Sequence, residues 1–130
     1  MYYVYSAVFT KAETGYTVEV PDVPGCVTDG STLEEATRMI KDALGGCLCT
    51  LEDHDEQSVP SRTPSDFTLS ANQFAAMVDI DTDRYRAETD NRAVRKNVSI
   101  PAWLNSRAER AGVNFSQTLQ DALKSQLHVQ

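Results

Sequence analysis

The chain is poor in the residues that would staple it, carry it through a membrane or ligate a metal. Its three cysteines, Cys26, Cys47 and Cys49, are too sparse and too odd in number for a disulfide framework. Such usage fits a reducing cytosol. No apolar run approaches the roughly 18 to 20 residues that a membrane span needs. The opening Met1-Tyr2-Tyr3-Val4 has neither a basic n-region nor a small-residue cleavage site, so no secretory signal is expected. A cytoplasmic protein without a membrane partner is therefore predicted. Histidine is limited to His54 and His128. Together with Cys47-x-Cys49 they fall short of four converging ligands for zinc. Asp79, Asp81 and Asp83 are spaced like the opening of a calcium loop, but Arg84 stands where the loop needs Gly and Asp90 where it needs Glu. Ser6, Ser31 and the other hydroxyls have no histidine placed to activate them. No catalytic residue, metal or cofactor is expected, and the chain reads as a non-enzyme.

What is present is a segregation of charge. Residues 1–90 carry six Lys/Arg and 17 Asp/Glu, a net of −11, whereas residues 91–130 carry six Lys/Arg and two Asp/Glu, a net of +4. The overall −7 conceals this. An acidic body with a small basic tail suggests two partners of opposite sign, a basic protein and an anionic polymer.

The hydrophobic pattern predicts an α+β chain. Residues 2–10 are rich in aromatic and β-branched types, and Tyr16, Val18 and Val20 alternate with polar residues, which reads as a hairpin. Pro21 to Gly25 is a turn, Cys26 to Thr28 a short strand, and Asp29-Gly30 its end. Thr32 and Glu35 have capping-box spacing at the head of a helix of about nineteen residues, with Leu33, Ala36, Ile40, Leu44, Leu48 and Leu51 on one face. Gly45 and Gly46 interrupt it, and close approach of the helix to the sheet is the expected reason. Residues 52–66 read as loop and 75–81 as a last strand. Residues 83–93 read as a linker with at most a short helical turn.

The tail has the order strand, helix, helix. Arg95 to Ile100 is strand-like, Pro101 opens a helix near 102–111, Gly112 is a fit C′ residue, and Asn114 can cap a helix near 115–127. So little structure cannot bury a stable core alone. Antiparallel pairing of two such strands in a homodimer would solve this, with four helices covering one face. If Val98 and Ile100 face the helices, Arg95, Asn97 and Ser99 point outward, where a two-stranded ribbon fits the DNA major groove. Asn114, Phe115 and Ser116, at the start of the last helix, would offer backbone N–H groups to a phosphate. The segments Arg95-Lys96-Asn97-Val98-Ser99-Ile100-Pro101 and Gly112-Val113-Asn114-Phe115-Ser116 resemble ribbon-helix-helix repressors, a class of β-ribbon readers. Lys96 departs from the usual apolar inward residue.

The stretch Gly15-Tyr16-Thr17-Val18-Glu19-Val20-Pro21-Asp22-Val23-Pro24-Gly25-Cys26-Val27-Thr28-Asp29-Gly30, followed by Thr32-Leu33-Glu34-Glu35-Ala36, resembles the HicB antitoxin family. The resemblance implies a partial RNase H-like β-β-β-α-β domain over residues 1–82, lacking nuclease carboxylates, then a linker over 83–93 and a ribbon-helix-helix domain over 94–130. It also implies a partner, a HicA-like toxin that is small, basic and cleaves mRNA. The acidic body would be its electrostatic match. The implied role is neutralisation of the toxin and repression of the chain's own operon through operator DNA, with the protein on the nucleoid when so bound. A higher oligomer than the dimer stays open. The competing expectation is a stand-alone ribbon-helix-helix regulator whose acidic body senses a ligand or a protein.

Overall fold

A computed structural model describes residues 1–90 and 92–129 of the chain. They fall into two compact units, Met1–Arg92 and Ala93–Gln130. The first holds a four-stranded antiparallel sheet of order β3-β2-β1-β4, built from β1 (Tyr2–Ala12), β2 (Gly15–Glu19), β3 (Val27–Gly30) and β4 (Gln73–Asp81). Helix α1 (Leu33–Asp53) joins β3 to β4, and α2 (Thr82–Thr89) follows β4 directly. The second unit contains α3 (Ala102–Arg110) and α4 (Phe115–Leu127).

The core of the first unit lies between one face of the sheet and α1. Period-two burial brings Tyr5, Ala7 and Phe9 of β1, Val18 of β2, and Val78 and Ile80 of β4 to that face. Ala36, Ile40, Leu44 and Leu48 recur every four residues along α1 and are all buried. Burying one such large side chain stabilises the fold by about 1.5–3 kcal/mol. Leu33, expected on this face, stays exposed at the helix entry. Thr32 caps α1 by accepting from the Glu35 N–H at 3.1 Å. The return half of the expected box is displaced by one residue, with Glu35 accepting from the Ser31 hydroxyl at 2.6 Å and the Ser31 N–H at 3.3 Å.

Several boundaries differ from expectation for local reasons. Asp29 and Gly30 extend β3 rather than end it, because Gly30 lies opposite Tyr16 and Asp29 opposite Thr17. A Cβ on Gly30 would lie 2.4 Å from the Ala36 nitrogen, so the glycine lets α1 cross the strand end in backbone contact. Residues 52 and 53 belong to α1, and a single 3-10 turn at Pro64–Asp66 punctuates the following loop. β4 begins at Gln73, two residues earlier than expected, through its pairing with Thr10. Where a linker with at most a short helical turn was expected from residue 83, Thr82–Thr89 forms α2, started by Asp81, which accepts from the N–H groups of Asp83 at 3.0 Å and Arg84 at 3.4 Å. The space over Gly45 is filled by the Tyr85 ring of that helix, so the close approach it serves is to α2 and not to the sheet.

Residues 95–100 carry no strand in the single chain. A strand is defined by its ladder, and no partner strand lies among the described residues of this unit.

Two glycine substitutions separate close approach from open space. Gly30→Ala forces α1 away from β3 and is expected to lower stability by about 1–3 kcal/mol in urea unfolding. Gly46→Ala meets only the Tyr85 hydroxyl, at 3.5 Å, and is expected to be neutral or to stabilise by up to about 1 kcal/mol through helix propensity.

Candidate functional site: an acidic body and a basic helical unit

The segment from Pro21 to Cys26 is held at both ends. Its backbone closes on itself, with Val20 N–H donating to the Cys26 carbonyl at 2.9 Å and Val23 N–H to the Val20 carbonyl at 3.0 Å. Gly25 sits at φ +82, a left-handed conformation that favours glycine. Asp22 then anchors the long loop after α1. Its carboxylate accepts from the N–H groups of Ser61 at 3.0 Å and Arg62 at 3.2 Å, and from the Arg62 guanidinium at 2.8 Å. The Ser61 donor holds the Asp22 carboxyl below its ordinary range, burial opposing and Arg62 adding to the effect. Ser58 donates to the Asp22 carbonyl, and its own carbonyl accepts from the Tyr5 hydroxyl. The loop thus lies against the sheet, where the Arg62 carbonyl also accepts from buried Ser6 at 2.7 Å.

A second polar knot ties the end of α1 to β1 and α2. Glu52 accepts from the hydroxyls of Tyr3 at 2.8 Å and Thr82 at 2.9 Å, and from Arg86 at 3.2 Å. Burial works to raise the Glu52 pKa, yet these donors hold it below its ordinary value. Burial, with the Glu52 bond, pushes the Tyr3 phenol up to about 12. These groups tie three elements together. Two of the acids with calcium-loop spacing are likewise occupied: Asp81 caps α2, and Asp79 accepts from the Tyr2 hydroxyl at 3.1 Å and pairs with Lys41 at 3.6 Å.

The acidity of the first unit is available at its surface. Arg38, Lys41, Arg62, Arg84 and Arg86 are all engaged by neighbouring acids. Glu13, Glu19, Asp29, Asp55 and Glu56 remain exposed and outside the ion pairs of the described residues. The field around this unit is therefore negative and suits a cationic protein.

The second unit differs in both charge and packing. Its cations Arg95, Lys96, Arg107, Arg110 and Lys124 make no ion pair among the described residues, and Arg95, Asn97 and Ser99 make no side-chain hydrogen bond there either. All three are exposed, as are Asn114, Phe115 and Ser116. Asn114 caps α4, its side-chain oxygen accepting from the Gln117 N–H at 3.0 Å, which leaves the N–H groups of Phe115 and Ser116 at the helix start. Gly112 adopts φ +70 after α3. No described residue of this unit is buried. Val98, Ile100, Leu104, Val113, Phe115, Leu119 and Leu123 are exposed, Leu123 by 48 %. Such apolar surface is unstable in water unless another surface covers it.

The anchoring role of Asp22 and the docking of Tyr85 were not legible in the sequence. Asp22 could be noticed only as an acid between two turn prolines. The Gly45-Gly46 pair was the one trace of Tyr85, since it announces a close approach without naming what approaches.

A family model described as "HicB_like antitoxin of bacterial toxin-antitoxin system" matches residues 4–124. An uncharacterised 14.9 kDa protein of Haemophilus phage HP1 is 28% identical over 107 residues, 82% of this chain and 80% of that protein. Antitoxin HicB 2 of Photorhabdus laumondii is 34% identical over 88 residues, 67% of this chain and 63% of that protein. Among solved structures, a chain of the toxin–antitoxin complex from Streptococcus pneumoniae is similar with TM-score 0.62 and 26% identity, covering 97% of this chain and 99% of that one.

The Asp22 anchor generates a pH dependence. A carboxylate with a depressed folded pKa contributes stability above its unfolded pKa of about 3.9 and loses that contribution as pH falls through the folded value. Asp22→Asn is expected to destabilise at pH 7 by about 1–3 kcal/mol. It should also flatten the decline in unfolding midpoint below pH about 4. An undiminished acid decline in the variant would place the titrating group elsewhere.

Proposed function

The chain belongs to the HicB-like antitoxins of bacterial toxin–antitoxin systems, and from that premise we propose that it neutralises a HicA-type mRNA-cleaving toxin with its first unit and represses its own operon with its second. Membership of an antitoxin family assigns the chain a binding role rather than a catalytic one. The sheet and α1 of Met1–Arg92 are then a partial RNase H-like domain used as a binding surface. Its net negative charge would speed capture of a basic toxin more than it fixes affinity.

The observation that carries the DNA half is the absence of any buried residue among those described in Ala93–Gln130. Two helices with this many exposed apolar residues call for a second copy. If two 95–100 segments pair antiparallel, Val98, Ile100, Leu104, Leu119 and Leu123 are covered from both chains. The same pairing turns Arg95, Asn97 and Ser99 to the ribbon's outer face. Arg suits guanine there, Asn suits adenine, and Ser is tolerant. The capped start of α4, with Asn114, Phe115 and Ser116, would fix the register on phosphate. Domain bounds of 1–82, 83–93 and 94–130 belong to this proposal.

Two measurements separate the units. Asn97→Ala is expected to lose operator binding, at about 1–3 kcal/mol per discarded base contact, while suppression of RNA cleavage by the product of the adjacent small reading frame is unchanged. Loss of both activities would sink the two-module reading. Operator binding without any toxin complex would favour a stand-alone regulator. Leu123→Glu is expected to convert the chain to a monomer in analytical ultracentrifugation and to abolish DNA binding with it.

A further inference from the structure

Helix α3 presents two unlike faces about 100° apart. Leu104 and Ala108, spaced i and i+4, lie on the apolar one, the face that a second copy would cover. Trp103, Arg107 and Arg110, spaced i, i+4 and i+7, share the other. Trp103 is 64 % exposed and is the chain's one tryptophan. Neither arginine forms an ion pair among the described residues. The helix's one acid, Glu109, lies off this face and accepts from the Asn105 amide at 3.3 Å. Cations in a last turn complement the helix dipole, which accounts for the two arginines. It does not account for an indole left in water on their face.

An exposed aromatic ring beside unpaired cations is a platform on which an unpaired base stacks while its strand's phosphates meet the cations. Along the axis, Trp103 lies about 6 Å from Arg107 and about 10.5 Å from Arg110. The longer distance matches about three nucleotides of a stacked strand, at about 3.4 Å each. An acidic protein would satisfy the arginines and bring no ring to the indole. In a duplex the base faces are already stacked on one another. A single strand supplies ring and anions from one chain.

We propose that the Trp103, Arg107 and Arg110 face of α3 binds single-stranded nucleic acid, with Trp103 stacked on a base and the arginines on flanking phosphates. The site shares no residue with the ribbon face of Arg95, Asn97 and Ser99 and does not depend on that reading.

The single tryptophan makes the contact observable in the full chain. Oligothymidylate, which forms no duplex with itself, is expected to quench Trp103 emission at low salt. Trp103→Ala should weaken binding of fluorescein-labelled oligothymidylate at least about fivefold, through loss of one base stack, and Trp103→Phe should restore most of it. Arg107→Gln together with Arg110→Gln should make the plot of log affinity against log salt shallower by about 1.4, the share of two phosphates. Asn97→Ala should change neither quenching nor slope. Sedimentation identical to the parent in each variant separates a lost contact from a lost fold. Binding without quenching would overturn the proposal, as would an unchanged slope in the double variant. Trp103 already shielded from acrylamide in the free chain would overturn it by showing that another copy covers the face. Equal quenching by polyglutamate would make the face a dock for acidic protein instead, and loss of oligothymidylate binding in Asn97→Ala would move the contact to the ribbon. Failure to bind operator duplex would sink the ribbon reading and leave this result standing.

Discussion

The first unit depends on α1 lying across the sheet closely enough to seal one face of it. A four-stranded antiparallel sheet exposes two faces, and the apolar one here has a single helix to cover it. Ala36, Ile40, Leu44 and Leu48 form the covering stripe, and the helix enters where Gly30 meets the backbone of Ala36. Both contact residues are small for the same reason. A side chain at position 30 would meet the Ala36 backbone and lift the first turn of α1 from the sheet. The Thr32 cap fixes where that turn begins, so a local signal and a tertiary contact agree on one entry point.

The far side of the sheet is handled by polar anchoring. Asp22 grips Ser61 and Arg62, and Ser6 donates to the Arg62 carbonyl. A long loop is thereby held with few apolar contacts. The same economy spends the cations of this unit on its own acids and leaves other acids facing solvent. The second unit reverses the arrangement, with cations left unpaired and apolar residues left uncovered. Among the described residues, the first unit has a buried core and exposed acids, whereas the second has exposed cations and no buried residue.

Much of this was legible in the chain. The hairpin, the turn at Pro21 to Gly25, the Thr32 cap, the α1 stripe, Gly112 and the Asn114 cap all have signals within a few residues of one another. The misjudged features answer to distant residues. Gly30 was read as an ending because glycine breaks strands locally, yet Tyr16 and Ala36 make it part of one. The residues from Asp83 onward show no apolar periodicity and so resemble a linker with at most a short helical turn. The helix there is held by the Tyr85 ring and the Arg86 guanidinium on α1 and by buried Thr82, which bonds Glu52 and the Met1 carbonyl. Gly45 signals a close approach in the sequence, but its neighbour is Tyr85 of α2 and not the sheet.

The sequence by itself determined the family, the order of the four strands and α1, the last two helices, and the opposition of charge between body and tail. These reside in composition, periodicity and a contiguous motif, which need no knowledge of what packs on what. Only the tertiary structure decided which carboxylates are spent on structure, what fills the space over Gly45, and that the described residues of the tail bury nothing of their own. Each of these is a relation between residues far apart in the chain. Packing fixes such relations through contact distance, and no local pattern encodes them.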